Sequence, residues 1–159
     1  MSHMNLINLR EHSAALLQRR NKAAVVLYPK ITEQRNYAQQ LASAVGWPHF
    51  DLLNEFSEKA DLTDQLVAFS MSDFFDYLKQ QKSSNGIVVS NIEIVLTAWI
   101  AQGTPVDIKN DFCSRVELWE RSPALLIVTQ NDPVFANYQP TRHTDSRLIM
   151  KTSDTLALE

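Results

Sequence analysis

The sequence predicts an α/β layered domain built on a parallel sheet, and three observations carry that prediction. Two segments, Ala23 to Tyr28 and Ala124 to Thr129, are unbroken apolar runs, the pattern of strands buried on both faces. Amphipathic segments with helical spacing lie between the candidate strands, and strand–helix alternation favours parallel pairing. The chain has only three glycines, Gly46, Gly86 and Gly103, and each falls between elements, where a helix stops or a strand starts.

Leu6 to Arg20 carries Leu6, Leu9, Ala14, Leu16 and Leu17 at helical intervals and ends in Arg19, Arg20 and Lys22, charges that suit a helix C-terminus. Ala23–Tyr28 is the first strand. Glu33 to Val45 reads as a helix with Tyr37, Ala38, Leu41, Ala44 and Val45 on one face and Gly46 as its stop; Thr32 and Asn36 are its candidate caps. Trp47-Pro48 breaks the chain, and His49 to Leu53 is a short second strand. Asp64 to Lys82 forms a longer helix, with Leu66, Phe69, Phe74, Tyr77 and Leu78 inward, before a turn at Ser83-Ser84-Asn85-Gly86. Ile87–Val89 is the third strand. Helices follow over Glu93–Gln102 and Asp107–Arg121, the second turning Phe112, Val116 and Trp119 inward. Ala124–Thr129 is the fourth strand, Asn131–Thr144 a loop and Arg147–Lys151 the fifth strand. The whole chain, 1–159, reads as one domain, with 4–22 as an N-terminal helical segment and 1–3 as a cloning remnant.

With 159 residues the chain is long enough for a real core. Its 45% hydrophobic and 21% charged residues suit a soluble globular protein. A net charge of −3 gives no global attraction to nucleic acid or an anionic membrane. The single Cys113 excludes an intramolecular disulfide and a cysteine-based zinc site, and fits a reducing cytoplasm. No apolar run approaches the roughly 20 residues that span a bilayer. His12, His49 and His143 lack ligand spacing, so no metal site is expected.

The chemistry-bearing pattern is the stretch after the first strand. Pro29 to Asn36, Pro-Lys-Ile-Thr-Glu-Gln-Arg-Asn, joins a strand to a helix with the length of a G-x-x-x-x-G-K-[ST] phosphate loop. Pro29 and Gln34 stand at the two glycines, Arg35 at the lysine and Asn36 at the hydroxyl. A phosphate loop works because glycines let backbone N–H groups curl around the anion; bulky side chains and a proline without an N–H remove that ability. The third strand ends in Ser90 and Asn91, neutral where a Mg²⁺-holding and a water-polarising acid would stand, and Glu93 is the nearest carboxylate. The fourth strand ends in Thr129-Gln130-Asn131. Arg142, His143 and Arg147 make a late basic cluster suited to a partner or to nucleic-acid phosphates. Cys113 and the aromatic residues Trp47, Phe74, Phe75, Trp99 and Trp119 read as core.

In this order, from Ala23 to Lys151, the chain resembles the core of an AAA-type P-loop ATPase with degenerate motifs. The resemblance implies a three-layer α/β/α fold, P-loop NTPase-like, with the first strand central in a five-stranded, mainly parallel sheet and with no C-terminal helical lid. It also marks Gln34, Arg35, Asn36, Ser90, Asn91, Glu93, Thr129 and Asn131 as a vestigial nucleotide site. In size and in the phrase Val89-Ser90-Asn91-Ile92-Glu93 the chain further resembles the small P-loop protein of BREX-type phage-defence systems. That likeness implies a cytoplasmic, non-catalytic scaffold or adaptor with no cofactor. Its partners would be larger protein components of a defence or DNA-processing complex, with self-association and nucleic-acid contact as further expectations. Two alternatives stand beside it: an atypical ATPase using Arg35 on phosphate and Glu93 as base, with ATP and Mg²⁺, and a nucleic-acid-binding adaptor using Arg142, Arg147 and Arg19 to Lys22.

Overall fold

The computed structural model describes residues 6–58, 69–81, 85–142 and 147–158. Five strands form one sheet: β1 (Ala23–Tyr28), β2 (His49–Asp51), β3 (Gly86–Ser90), β4 (Ala124–Gln130) and β5 (Ile149–Lys151). Their order is β2-β3-β4-β1-β5, and every pairing is parallel. β1 is therefore interior, held by β4 over Ala23 to Tyr28 and by β5 over Val25 to Leu27, but the middle position belongs to β4.

Between and around the strands run α1 (Leu9–Leu16), α2 (Gln34–Val45), α3 (Leu52–Glu58), α4 (Met71–Lys79), α5 (Glu93–Ile100), α6 (Pro105–Glu117) and the single-turn α7 (Pro133–Ala136). Strand side chains alternate between two hydrophobic clusters, as the two-residue period requires. Ala24, Val26, Val88, Leu126 and Val128 point to one face, where Leu9 and Leu16 of α1 and Ala38, Leu41 and Ala42 of α2 cover them. Val25, Leu27, Ile87, Val89, Leu125 and Ile127 point to the other, beneath residues of α3 to α7. Helices thus cover both faces of the sheet, which explains why β1 and β4 are apolar without interruption. The second face is rich in aromatic rings. Phe112 lies at their centre, with ring centroids 5.6 Å from Phe75, 6.0 Å from Phe135, 6.1 Å from Phe74 and 6.4 Å from Trp99, spacings at which aromatic pairs attract. Cys113 is fully buried, and burial pushes its thiol up to about 12. Trp47 is half-buried and packs on the first face.

Several boundaries differ from the sequence expectation. The N-terminal helical segment covers Leu9–Leu16 and not 4–22, because Asn8 caps it by accepting from the Arg10 and Glu11 N–H groups and Ile7 is extended, bridged in parallel to Thr155. Lys22 closes the connection by donating Nζ to the Leu17 and Arg19 carbonyls. α2 is preceded by a 3₁₀ turn at Ile31–Glu33, and neither Thr32 nor Asn36 caps it; its N-cap is Glu33, with no side-chain bond. β2 ends at Asp51 because Asp51 Oδ1 accepts from the Leu53 N–H and turns the chain into α3, a helix the sequence did not announce. The long helix expected over Asp64–Lys82 starts, among the described residues, at Met71; Ser70 and Asp73 form a capping box there. Its Asp64 to Ala68 portion lies outside the described residues, as do Ser83, Ser84 and His143. α6 begins at Pro105, earlier than expected, with Thr104 as its cap, and stops at Glu117. No helix among the described residues is long and apolar enough to cross a membrane.

Candidate functional site

In open parallel sheets the carboxyl ends of the strands, at the point where connections diverge, form the crevice in which ligands bind. Here the chain leaves β1 through α2 towards the far edge of the sheet, whereas it leaves β4 across β1 to the opposite edge. The carboxyl ends of β1 and β4 are therefore the divergence point. A connected polar network occupies that end of the sheet, and most of the motif residues meet in it.

Gln34, at the N-terminus of α2, is fully buried. Its amide is used at both ends: Nε2 donates to Glu93 Oε2 at 2.9 Å, and Oε1 accepts from the Asn91 N–H at 2.8 Å. A primary amide carries a donor and an acceptor on separate atoms, so Gln34 ties the start of α2 to the end of β3 and the start of α5. Asn91 adopts φ 62°, in the left-handed region that asparagine tolerates better than most residues. Its side chain donates Nδ2 to Asp51 Oδ1 at 2.6 Å. Arg35, half-exposed, brings Nε to 2.8 Å from Asp51 Oδ2, an ion pair whose geometry is not aligned for a hydrogen bond. Ser90 is fully buried, with its hydroxyl 2.7 Å from His49 Nε2. Burial lowers the His49 pKa and Arg35 adds to the effect, while Asp51 opposes them.

Glu93 is the hub. Its Oε2 accepts from Gln34 Nε2, from Thr129 Oγ1 at 2.8 Å and from the Gln130 N–H at 2.8 Å. All three donors are neutral. The helix N-terminus beneath it adds a favourable dipole, so Glu93 is more than an ordinary first-turn glutamate: it joins β4, α2 and α5. Its other oxygen, Oε1, is buried and has no hydrogen-bond partner among the described residues.

The network brings together Gln34, Arg35, Ser90, Asn91, Glu93 and Thr129. It does not include the side chains of Asn36 and Asn131, which are exposed; Asn131 contributes its backbone N–H to the Tyr28 carbonyl at 2.9 Å. Asp51 and His49 belong to the network although no motif marked them; their only sequence signal was polarity at alternate positions of a short strand leading to the same sheet end.

The late basic cluster lies elsewhere. The Arg142 N–H donates to Glu117 Oε2, beside Tyr138 and Thr141, which donate to Glu117 Oε1. Glu117 is thus a buried carboxylate that pins the loop after α7, a role invisible at a helix end in sequence. It also raises the Tyr138 hydroxyl, already pushed up by burial, to about 12. Arg147 is exposed and, with Arg19, acts on buried His12 in α1. The described residues contain no group of three or more His, Cys, Asp or Glu suited to a metal ion.

Comparison with protein-family models, curated proteins and solved structures gave no significant match.

Proposed function

We propose that this chain is a non-catalytic, P-loop-like scaffold or adaptor subunit that binds larger protein partners, in the manner of an accessory component of a phage-defence assembly. The observation that carries the reading is Gln34. It stands where a phosphate loop has its second glycine, and its buried amide already occupies the Asn91 N–H and the Glu93 carboxylate. The neighbouring cation, Arg35, is engaged by Asp51. Pro29 offers no N–H. An incoming phosphate would have to displace these contacts and would meet the Glu93 and Asp51 carboxylates, with Arg35 already paired to one of them, an unfavourable exchange for a polyanion.

A second reading keeps one observation in its favour: Glu93 is coupled to Thr129 and Gln130 at the end of β4, an acid and a polar strand end held as a catalytic base and a phosphate sensor would be. It makes the chain an atypical ATPase with Arg35 on phosphate.

Heating with and without millimolar Mg-ATP separates the two. A ligand at 100 times its Kd stabilises the native state by about 2.7 kcal/mol. The scaffold reading expects no shift in Tm and no ATP hydrolysis, together with stoichiometric co-purification with the products of neighbouring genes. A shift abolished by Arg35→Ala would replace it with the ATPase reading.

A further inference from the structure

A cleft opens beside Glu93, between α5, α6 and the end of β4, with Leu96, Ile100 and Phe135 as apolar walls and Glu93, Lys109 and Asp132 as its charged lining. It offers about 140 Å³, close to the roughly 150 Å³ of an engineered cavity that accepts a benzene ring. The charges in it are not balanced. Lys109 is spent on Asp132, to which it donates while lying 5.8 Å from the Phe135 ring centroid. Burial alone would push the Asp132 carboxyl up, but Lys109 and the backbone N–H groups of Val134 and Phe135 hold it below its ordinary range. Glu93 has only neutral donors, all on Oε2, and its buried Oε1 has none among the described residues. Oε1 is closed to solvent, so the cleft meets Glu93 as a negative charge without a cationic partner and not through a free oxygen.

We infer that this cleft receives a guanidinium or ammonium group carried on a short apolar stem, with the cationic head beside the negative charge of Glu93 and the stem between Leu96, Ile100 and Phe135. An anion is disfavoured because Lys109 is already paired with Asp132. A bare metal ion is disfavoured because the walls are apolar and, among the described residues, Glu93 and Asp132 are the only carboxylates lining the cleft. Two sources share this chemistry: a basic side chain of a partner protein, and a free small amine or guanidine. The inference needs nothing from the nucleotide question, since it concerns the cleft and not the phosphate position.

The test is an NMR titration of the full chain with butylguanidinium and with butylurea, which has nearly the same shape and no charge. Butylguanidinium is expected to shift the Thr129 and Gln130 amides and the Leu96 and Ile100 methyls saturably, and butylurea to bind at least about tenfold more weakly. Glu93→Gln should weaken butylguanidinium binding by a similar factor. Thr97→Trp, an exposed cleft position whose enlargement blocks the cleft while keeping Glu93, should abolish it; this variant decides the matter if Glu93→Gln does not fold. Comparing Nα-acetylarginine amide with free arginine then names the source: tighter binding of the capped form identifies a protein side chain, and tighter binding of the free form a small metabolite. Equal binding of butylurea, no saturable shift with any cation, or binding unchanged in both variants would overturn the inference.

Discussion

Gln34 shows how far one residue can redirect a loop. Its sequence position identified it as the replacement for a phosphate-loop glycine, but its partners lie 57 and 59 residues away and no local pattern announces them. Gln34→Ala should leave the Asn91 N–H unpaired and take one donor from Glu93. We expect a loss of about 2–3 kcal/mol in urea unfolding, at the upper range for a buried polar group losing its partner. Gln34→Glu should be worse above the carboxylate range, because it sets a second negative charge against Glu93. A loss below about 0.5 kcal/mol for Gln34→Ala would mean that the network does not hold α2. His12 gives a separate, pH-dependent expectation. Burial, reinforced by Arg19 and Arg147, lowers its pKa from 6.5 to about 4, and its Nε2 is buried without a partner among the described residues. Between those values the unfolded chain binds a proton that the folded chain does not. Stability should therefore fall as pH drops through this window, by at most about 3 kcal/mol from this residue. His12→Leu should flatten that part of the curve measured by denaturant titration; an unchanged slope would show that another group is responsible.

Elements were legible in proportion to how local their causes are. β1 and β4 were readable because burial on both faces leaves a continuous apolar run, and α2 because it has a clear apolar stripe and a glycine stop; Gly46 indeed takes φ 76° at the helix end. α3 was missed because its start depends on one Asp51–Leu53 contact inside what otherwise reads as a strand. The length of α1 was overestimated because Leu6 and Leu17 continue the helical spacing while Asn8 and the Ile7–Thr155 bridge set its true start from outside the pattern. Gly86 is a further case. It opens β3 against the Trp47 indole, and a Cβ placed on it would come within 2.5 Å of Trp47 Cδ2 and Cε2. These are ring-fusion atoms, so relief requires moving the whole indole. Gly86→Ala should cost about 1–3 kcal/mol, the range for overpacking, read as a lower urea midpoint at unchanged m-value. A neutral effect would mean that the Trp47 ring turns aside freely.

At the scale of the molecule, the sheet divides the candidate site into a firmly held part and a looser one. β4 is paired on both sides, and β1 shares six residue pairs with it, whereas β2 and β5 are edge strands of three residues each. Both faces of β1 and β4 are buried, so opening them exposes apolar surface on two sides at once. Opening an edge strand exposes much less, and the free energy of local opening follows the surface and hydrogen bonds lost. Glu93 and Thr129 are anchored to the centre, but Asp51 sits at the end of edge strand β2. When β2 loosens, the contacts of Asp51 with Asn91 and Arg35 should go first, freeing Arg35 while the Gln34–Glu93 bond persists. Native-state hydrogen exchange tests this order. Hydrogen-bonded amides of β4 and β1 should exchange only through global unfolding, and those of β2 at least about tenfold faster, equivalent to roughly 1.4 kcal/mol. Asp51→Asn should widen that gap by weakening the Arg35 ion pair and leave the protection of β4 unchanged. Equal protection across β2 and β4, or loss of β4 protection in Asp51→Asn, would mean that the whole network opens as one unit and that Arg35 is never released on its own.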